Sequence, residues 1–299
     1  MLKIYYSSIY FKSISEGLGW VIQRYNKTLE SHKLIDFEIT DIITKSDAKS
    51  KLNKWIILGL QNIPIIPSGK YIVWNFEQFE INGPEFTKEF WIQMTQAHAI
   101  WDYSKENIKW LAQTKSLDAI HLPLGWVPQM KISIPISPWI ERINTFAFVG
   151  LMNERRRNII KSSYEIAKSN NWNMYLSNKC WNNEYETIYS MTKFGLNIHY
   201  YTGKTILEIH RIIPLILNRI WVVSERSGDP WYDELFDNLI TWSNQETFSQ
   251  ILDQLNKLNP KEIEEELLKR KRILIQSCDL YKFFIKEELG EKLVQFNSN

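Results

Sequence analysis

Short apolar runs alternate with amphipathic segments along almost the whole chain, and this alternation restricts the fold more than any other feature. The run Trp55–Leu60 (WIILGL) contains no polar side chain, which is typical of a parallel strand buried on both faces of a sheet. Similar runs occur at Tyr71–Phe76 and Thr145–Gly150, with amphipathic segments between them. Because strands that alternate with helices favour a parallel sheet, the sequence predicts an α/β fold.

The alternation occurs twice, on either side of a segment that differs from both halves in composition. Val127–Ile140 contains or adjoins four prolines, which indicate a linker: Pro123, Pro128, Pro135 and Pro138. A chain of 299 residues also has the usual length of two domains. We therefore expect two Rossmann-like lobes, residues 1–140 and 141–299, each with a doubly wound parallel sheet.

Charge and cysteine content narrow the class of protein. The chain has 36 basic and 34 acidic residues, so we expect no nucleic-acid partner. Cys180 and Cys278 fit neither a zinc spacing nor a disulfide framework, which favours a reducing compartment. The N-terminal segment MLKIYYSSIYFK lacks the apolar core of a signal peptide, and no apolar run is long enough to span a bilayer. These observations predict a cytoplasmic protein without a transmembrane segment.

A glycine-containing segment follows the first predicted strand, Leu2–Ser7. Gly17 and Gly19 are expected in a loop before a helix at Val21–Leu29, where glycine would let the backbone approach a ligand closely. The full dinucleotide-binding pattern is absent, because Ile22 stands where its third glycine would be. An ordinary strand-to-helix turn is an equally good interpretation of this segment.

Three consecutive arginines lie at the predicted start of a helix, in the segment FVGLMNERRRNII. Helix N-termini attract anions through their free N–H groups and the helix dipole, so cations there are unfavourable unless an anion is close. Arginine also binds phosphate through two parallel hydrogen bonds. We therefore expect one or two of Arg155, Arg156 and Arg157 to contact a phosphate; the alternative is a solvated basic turn balanced by Glu154.

The segment from Phe194 to Asp229 places polar residues at the expected ends of strands and helices, where open α/β sheets bind ligands. Thr205 and Glu208 match a capping box, T-x-x-E, so the Glu208 carboxylate has two interpretations: a helix cap or a ligand for sugar or ribose hydroxyls. The remaining candidates for a bound anion or its ribose are Tyr200, Lys204, Arg211, Ser224 and Glu225.

Two carboxylates end predicted strands of the first lobe. Glu77 and Asp102 are therefore our candidates for a general base that accepts a proton from a hydroxyl group. His98 and His121 lie near the same strand ends, but a hydrogen-bonded structural histidine is the better interpretation of each. The sequence contains no D-x-D pair that would hold a divalent metal on a diphosphate.

The second half resembles the nucleotide-binding lobe of GT-B glycosyltransferases, in particular the glycosyl transferases group 1 and spore-coat-type proteins. The matching segments are, in order, FVGLMNERRRNII, FGLNIHYY, LEIHRIIPLILNRIWVVSE, DPWYDELF and ITWSNQETFSQILDQL, over roughly Phe146–Leu258. The resemblance implies a GT-B fold with a cleft between two lobes and a last helix that packs back on the first lobe. One departure is clear: the family's E-A-x-x-x-G glutamate falls at Pro214, so its ribose carboxylate is either displaced to Glu208 or lost.

The resemblance also implies an activity. Such proteins transfer a sugar from a UDP- or GDP-sugar donor, bound mainly by the C-terminal lobe, to a glycan, a lipid-linked or a protein acceptor. Basic residues take the place of a metal on the leaving diphosphate, so no metal or other cofactor is expected. Two alternatives stay open: a non-catalytic glycan-binding or assembly module, and a sugar-nucleotide epimerase on the same scaffold.

Overall fold

The computed structural model describes residues 1–79, 86–178, 183–203, 205–244, 247, 250–251, 254 and 257–298. The chain divides into two compact units. Unit 1 consists of Met1–Gln129 together with Cys278–Asn299, and unit 2 consists of Met130–Ser277. The boundary at Met130 lies within the predicted linker, and the chain returns to unit 1 for its last two helices.

Each unit contains one sheet whose strands are all parallel, as the buried apolar runs predict. The sheet of unit 1 has the order β2-β1-β3-β4-β5-β6, and that of unit 2 has the order β11-β10-β9-β7-β8. The strands are β1 Leu2–Tyr6, β2 Phe37–Thr40, β3 Lys54–Leu58, β4 Tyr71–Asn75, β5 Ala99–Asp102, β6 Ile120–His121, β7 Ile143–Val149, β8 Asn173–Ser177, β9 Thr192–Asn197, β10 Trp221–Ser224 and β11 Thr241–Trp242.

The strand orders create one reversal point in each sheet. In unit 1 the chain adds β2 on one side of β1 and β3 on the other, so the order reverses between β1 and β3. In unit 2 the reversal lies between β7 and β9. Open α/β sheets bind ligands beyond the carboxyl ends of their strands at such points. The topology alone therefore marks one candidate ligand edge in each unit.

Helices follow most strands and are capped where the sequence offers a suitable side chain. Thr87, Ser104 and Asn153 each accept a hydrogen bond from a backbone N–H in the first turn of the helix that follows them. The described helices are α1 Lys12–Asn26, α2 Lys45–Lys49, α3 Lys88–Gln96, α4 Lys105–Lys115, α5 Glu154–Ser169, α6 Asn183–Met191, α7 Ile209–Leu217, α8 Pro230–Phe236, α9 Pro260–Ser277, α10 Leu280–Lys286 and α11 Leu289–Ser298.

Aromatic side chains fill the core of unit 2 on one face of its sheet. The rings of Phe146 and Phe194, from neighbouring strands, stack with their centroids 4.7 Å apart. Trp172 packs against both rings at 5.3 and 4.9 Å, and Trp139 contacts Phe194 edge to face. These buried rings hold β7 and β9 in register, so the ends of the two strands have fixed positions.

Several predicted boundaries are wrong for identifiable reasons. From the sequence alone we predict a strand at Leu196–Tyr200, but β9 is Thr192–Asn197, because Phe194 and Gly195 pair with the central residues of β7. The sequence also predicts one continuous helix from Lys261 to Ile285, and it is broken at Asp279, which accepts a hydrogen bond from the N–H of Tyr281 and begins a new helix. Two further helices that the sequence predicts begin at Pro84 and Glu246, which lie outside the described residues; Cys180 lies outside them too.

The glycine-loop prediction is also wrong. Gly17 and Gly19 lie inside α1 and are buried, not in a loop before it. A Cβ atom on Gly17 would lie 2.5 Å from Cγ2 of Val127, and one on Gly19 would lie 2.8 Å from the ring of Phe37. Both glycines therefore allow α1 to pack closely on its neighbours. Their N–H groups belong to an interior stretch of helix, so we do not retain them as donor-binding residues.

None of the helices described combines the length and the apolar composition that a membrane crossing would require.

Replacing Gly17 by alanine should lower the free energy of unfolding by about 1–3 kcal/mol, the usual cost of overpacking. Alanine favours helix by about 1 kcal/mol relative to glycine, but the collision with Val127 is the larger effect. Urea denaturation gives this value, with Gln23→Ala on the exposed face of α1 as the matched control. An unchanged or increased stability of the Gly17 variant would contradict the packing role.

Candidate functional site

Three neighbouring strands of unit 2, β7, β9 and β10, end at the same edge of the sheet, and helices α5 and α7 follow that edge. The edge includes the reversal point between β7 and β9. Charged and polar side chains converge here: Arg155, Arg156, Asn197, His199, Glu208, Arg211, Ser224 and Glu225. We call this group the unit-2 edge cluster.

Glu208 is the residue to which most members of the cluster connect. Its Oε2 atom lies 2.8 Å from Nδ1 of His199 and accepts a hydrogen bond from the side-chain amide of Asn197 at 3.0 Å. Its Oε1 atom lies 3.3 Å from Nη2 of Arg156. We describe the His199 contact as a close ion pair. One carboxylate therefore joins residues from β9, the segment after it and α5.

The capping-box prediction for Glu208 is wrong. Helix α7 begins at Ile209, and although Glu208 occupies the N-cap position, its side chain makes no cap hydrogen bond. Thr205 is buried, and its carbonyl oxygen accepts a hydrogen bond from Gly228, which ties this segment to the loop after β10. The Glu208 carboxylate therefore does not cap α7, and it takes part in the unit-2 edge cluster instead.

The electrostatics of Glu208 and His199 depend on each other. Burial by itself would raise the pKa of Glu208, but the positive charges of His199, Arg211 and Arg156 outweigh burial and lower it to about 2. Burial would likewise lower the pKa of His199, and the negative charge of Glu208 outweighs it, so that the pKa is raised. His199 is also fixed by its Nε2 atom, which lies 3.0 Å from the carbonyl oxygen of Arg226.

Arg156 is a buried structural centre of the cluster. Its Nε donates to the carbonyl oxygen of Ile198 and its Nη1 to that of Leu151, while Nη2 faces Glu208. Its guanidinium also lies 5.1 Å from the ring of Tyr200. Burial is the main cause that lowers the pKa of Arg156 to about 10, so the side chain stays charged at neutral pH. Its donors are largely occupied by the protein.

Arg155 forms a two-pronged ion pair with Glu225. Nη2 and Nη1 of Arg155 donate to the two carboxylate oxygens at 2.6 and 3.1 Å, and Nη1 also donates to the carbonyl oxygen of His199. The backbone N–H of His199 donates to Oε2 of the same glutamate. Both charged side chains are about a quarter exposed. The pair therefore holds the segments after β9 and β10 together at the rim of the site.

Arg211 reaches the cluster from the first turn of α7. Its Nε donates to the carbonyl oxygen of Val149 at 3.0 Å, and its Nη1 donates to the side-chain oxygen of Asn197 at 2.6 Å. A Cβ atom on Gly150 would lie 2.8 Å from Nη2 of Arg211, so glycine at the end of β7 makes room for the guanidinium. Among the described residues Nη2 has no acceptor, which leaves it available to a ligand.

The remaining candidates divide into those inside and those outside the cluster. Ser224 is buried, and its hydroxyl accepts a hydrogen bond from Asn197, so it helps to hold the Asn197 side chain in place. Arg157 is exposed, and its side chain has no partner in the described part of the chain. Lys204 lies outside the described residues. That one or two of Arg155, Arg156 and Arg157 contact a phosphate stays a prediction.

Sequence reasoning missed Asn197 and His199, although both connect other members of the cluster. The available signal was two polar residues at the end of an otherwise apolar strand, in FGLNIHYY. Because β9 ends at Asn197, both residues follow or close the strand at the carboxyl edge. The error in the boundaries of β9 hid this, since a strand through Tyr200 would place them inside the sheet.

In unit 1, Glu77 follows β4 at the carboxyl edge of the sheet. Its Oε1 atom accepts a hydrogen bond from the side-chain amide of Gln61 at 2.7 Å, and burial raises its pKa to about 7. Its backbone is fixed by Asn75, which accepts from the N–H of Glu77 and donates to its carbonyl oxygen. A glutamate with such a pKa can exchange a proton near neutral pH.

Asp102 has a different environment. It is fully buried, and its oxygens accept hydrogen bonds from Asn75, Asn107 and the backbone N–H of Ser104. Asn75 and Asn107 both also donate to the carbonyl oxygen of Glu77. Asp102 therefore orients two amides that hold Glu77, and we interpret it as a positioning residue rather than as a base.

The two histidines considered above, His98 and His121, have structural environments. The ring of His98 packs against Phe296 with centroids 5.0 Å apart. Nε2 of His121 lies 3.2 Å from the carbonyl oxygen of Tyr103, and burial lowers the pKa of His121 to about 4. His121 is therefore not placed as a neutral-pH base.

Solved structures of GT-B glycosyltransferases match this chain. WaaG, a glycosyltransferase involved in lipopolysaccharide biosynthesis, matches over 100% of both chains with a TM-score of 0.58 and 10% identity. A glycosyltransferase from Rickettsia africae ESF-5 matches over 98% of both chains with a TM-score of 0.58 and 9% identity. TarM matches over 94% of this chain with a TM-score of 0.52 and 11% identity, and the chain spans 58% of the length of TarM.

These matches, together with the two parallel sheets, show that the chain has the GT-B fold. The predicted fold class is therefore confirmed. No protein-family model matches the sequence, and no curated protein matches it significantly. At identities near 10% the comparisons establish the fold alone, so the role of each residue has to be argued from the geometry.

Replacing Glu208 by glutamine should lower the free energy of unfolding by about 3 kcal/mol at pH 7. The pKa of Glu208 is lowered from 4.5 to about 2, and each unit of this shift corresponds to about 1.4 kcal/mol of folding stability. The substitution also leaves two buried cations without their partner. Because the pKa is lowered in the folded state, the contribution is present above pH 4.5 and is lost as the pH falls toward 2. Urea denaturation at pH 7 and pH 3 should show the difference from the parent chain roughly halved at pH 3.

The matched control is Glu165→Gln, which removes an exposed carboxylate from α5 and should leave the stability almost unchanged at both pH values. A Glu208 variant as stable as the parent chain at pH 7, or a difference that does not shrink at pH 3, would show that Glu208 is not the electrostatic centre of the cluster.

Proposed function

We propose that the chain is a glycosyltransferase that moves a sugar from a UDP- or GDP-sugar to a hydroxyl acceptor, without a metal ion. The observation that carries this proposal is the convergence of three arginines, one histidine and two glutamates at the reversal point of the unit-2 sheet. The cluster has more positive than negative groups, and it lies on a GT-B fold. A nucleoside diphosphate is an anion that such an edge would attract.

Arg211 is the best candidate for direct contact with the diphosphate. Two of its three nitrogens are held by Val149 and Asn197, which fix the guanidinium plane, and Nη2 remains available. Arg156 lies behind it and contributes its charge through space, since its own donors are occupied. When the bond between the anomeric carbon and the diphosphate breaks, the electron pair leaves with the diphosphate, and these charges stabilise it by roughly a few kcal/mol.

The two carboxylates would serve the neutral part of the donor. Oxygens of Glu208 and Glu225 retain lone pairs beyond the bonds they already accept, and hydroxyl groups of a ribose or sugar are suitable donors to them. The ion pairs hold both carboxylates in place without a ligand. Donor binding would then need little rearrangement of the protein, which favours affinity.

In unit 1, Glu77 is our candidate for the base. The acceptor hydroxyl would give its proton to the carboxylate of Glu77 as its oxygen bonds to the anomeric carbon. A pKa of about 7 suits this task, because the carboxylate is partly ionised at neutral pH and is still basic enough to take a proton. Asp102, which we predicted for the same task, would act through Asn75 and Asn107.

One observation favours a second function, a non-catalytic glycan-binding or assembly module. Arg155 and Glu225 satisfy each other through two hydrogen bonds, so that part of the cluster is complete without a donor. Donor hydrolysis by the purified chain separates the two functions, because a slow release of free sugar is expected from an enzyme and none from a binding module.

Replacing Arg211 by alanine should weaken the binding of UDP or GDP by about 10- to 100-fold, because one or two hydrogen bonds to a charged group are lost. Isothermal calorimetry on the full chain measures the affinity, and thermal melting checks that the variant is folded. The matched control is Arg157→Ala, an exposed arginine in the first turn of α5, which should change the affinity less than about twofold.

Arg211→Lys extends this test. It keeps the positive charge but loses the planar arrangement of donors, so its affinity should lie between those of the parent chain and the alanine variant. Equal nucleotide affinity in all of these variants would remove Arg211 from the site.

Removing divalent metal should leave nucleotide binding unchanged, since we assign the neutralisation of the diphosphate to arginine side chains. Calorimetric titrations of UDP and GDP in excess chelator and in excess magnesium should give affinities that agree within about twofold. A loss of binding in chelator that magnesium restores would contradict the metal-independent mechanism while leaving the location of the site intact.

A further inference from the structure

The ring of His199 is buried within the unit-2 edge cluster. His199 follows β9, which ends at Asn197, and the residue is 2% exposed. Its two ring nitrogens face two different partners. Because a neutral imidazole has one N–H donor and one acceptor nitrogen, the nature of these partners decides the protonation state of the ring.

Both partners of the His199 ring are acceptors. Nε2 lies 3.0 Å from the carbonyl oxygen of Arg226, and a carbonyl oxygen can only accept, so Nε2 carries a proton. Nδ1 lies 2.8 Å from Oε2 of Glu208. An unprotonated Nδ1 would direct its lone pair at a carboxylate oxygen at this distance and would be repelled. Two N–H donors on one ring make His199 an imidazolium.

The proton between the two residues belongs to His199 and not to Glu208. Oε2 of Glu208 also accepts from the side-chain amide of Asn197 at 3.0 Å, and Oε1 lies 3.3 Å from Nη2 of Arg156. The direction of the amide is fixed, because its oxygen accepts from Nη1 of Arg211. A protonated carboxyl group would give up its attraction to Arg156 and part of its capacity to accept, so the carboxylate is favoured.

The electrostatic surroundings of His199 agree with this assignment. The charged side chains of the cluster are Glu208 and Arg211 from the start of α7, Glu225 from the segment after β10, and Arg155 and Arg156 from α5. Burial by itself would lower the pKa of His199, but the two glutamates and the carbonyl oxygen of Arg226 outweigh burial, and the pKa is raised. The positive charge is therefore present below that raised pKa and is lost as the pH rises through it.

An imidazolium changes the charge of the proposed donor site. The three arginines and two glutamates of the cluster carry one net positive charge, and a protonated His199 raises it to two. Glu208 lies among the arginines that we assign to the diphosphate, where its negative charge repels phosphate. The imidazolium 2.8 Å away offsets this repulsion. Both N–H groups of His199 face protein acceptors, so it acts through Glu208 as a positioning residue.

We propose that His199 is an imidazolium in the folded chain at neutral pH, and that its charge forms part of the diphosphate-binding site, so that one proton regulates nucleotide binding. The inference rests on the proposed glycosyltransferase function, which supplies the ligand. It goes beyond that function by naming the proton that the site requires and the residue that holds it.

Proton–nitrogen correlation NMR on the full chain at pH 8 tests the protonation state. His199 should show two ring N–H groups, whereas an ordinary histidine, with a pKa of about 6.5, is mostly neutral at this pH. His121 is the internal control, because burial lowers its pKa to about 4 and its ring should be neutral. The variants His199→Gln and His121→Gln assign the signals, since each removes one set.

Calorimetry with UDP and GDP at pH 8 tests the role of the charge. His199→Gln should weaken the affinity about tenfold, because a neutral side chain no longer offsets Glu208. His199→Lys restores a positive charge and should bring the affinity back to within about threefold of the parent chain. The matched control is His32→Gln, which removes an exposed histidine that lies 3.4 Å from Glu30 in unit 1 and should leave the affinity unchanged.

Thermal melting shows whether each variant is folded. Where a variant is unfolded, the parent chain decides alone: its nucleotide affinity should fall at the pH at which NMR shows His199 losing its second ring proton. A constant affinity across that pH overturns the proposal.

The outcomes keep this proposal apart from the proposed function. Two ring N–H groups on His199, together with a weakened His199→Gln and a restored His199→Lys, support it. A neutral His199 ring at pH 8 overturns it, whatever the nucleotide affinities are. Equal affinity in the parent chain and His199→Gln, or a His199→Lys variant as weak as His199→Gln, overturns the role of the charge and leaves the donor site standing. Absence of UDP and GDP binding by the parent chain defeats the proposed function itself, and the ligand role of His199 with it.

Discussion

The ion pairs of a single carboxylate organise the ligand edge of unit 2. Glu208 connects His199, Arg156 and Asn197, and through Asn197 it reaches Arg211. These partners come from β9, the segment after it, α5 and α7, so the position of each element depends on the same negative charge. Burying several cations together is unfavourable unless an anion is close, and the lowered pKa of Glu208 reflects that dependence.

This arrangement changes how the arginine-rich segment should be interpreted. From the sequence, three arginines at a helix start indicate a bound phosphate, because cations are unfavourable there. In the structure, Glu208 and Glu225 already supply anions to Arg156 and Arg155, and Arg157 faces solvent. The electrostatic argument was sound, but it did not identify the anion. Among the described residues, Nη2 of Arg211, which sequence reasoning treated as a secondary candidate, has no acceptor.

The fold was more predictable from the sequence than the site was. Buried parallel strands require continuous apolar runs, so most strands could be located from the sequence. Helix α5 begins and ends where its N-cap residue and its periodicity indicate. The misplaced boundaries have a common cause. Gly17 and Gly19 look like loop residues, yet they are helical because α1 packs against Val127 and Phe37, which are distant in sequence. Likewise, T-x-x-E is typical of a helix cap at Glu208, but the Glu208 side chain contacts Asn197 of β9 and Arg156 of α5 instead. A pattern of residues that are close in the sequence carries no information about contacts with residues that are distant in it.

The two candidate edges differ in how their carboxylates are compensated, and the difference has a chemical consequence. In the unit-2 edge cluster, Glu208 and Glu225 each have an arginine partner, and the lowered pKa of Glu208 keeps its carboxylate ionised over the whole neutral range. In unit 1, the carboxylate of Glu77 has one amide donor and no cation among the residues that the structure describes, and burial raises its pKa to about 7. A permanently charged network suits a task of holding a charged and hydroxylated ligand, whereas a carboxylate near its pKa suits a task of exchanging a proton. The same residue type is therefore suited to different tasks in the two units, because neighbouring cations, and not the position at a strand end, set the pKa of Glu77 and Glu208 apart.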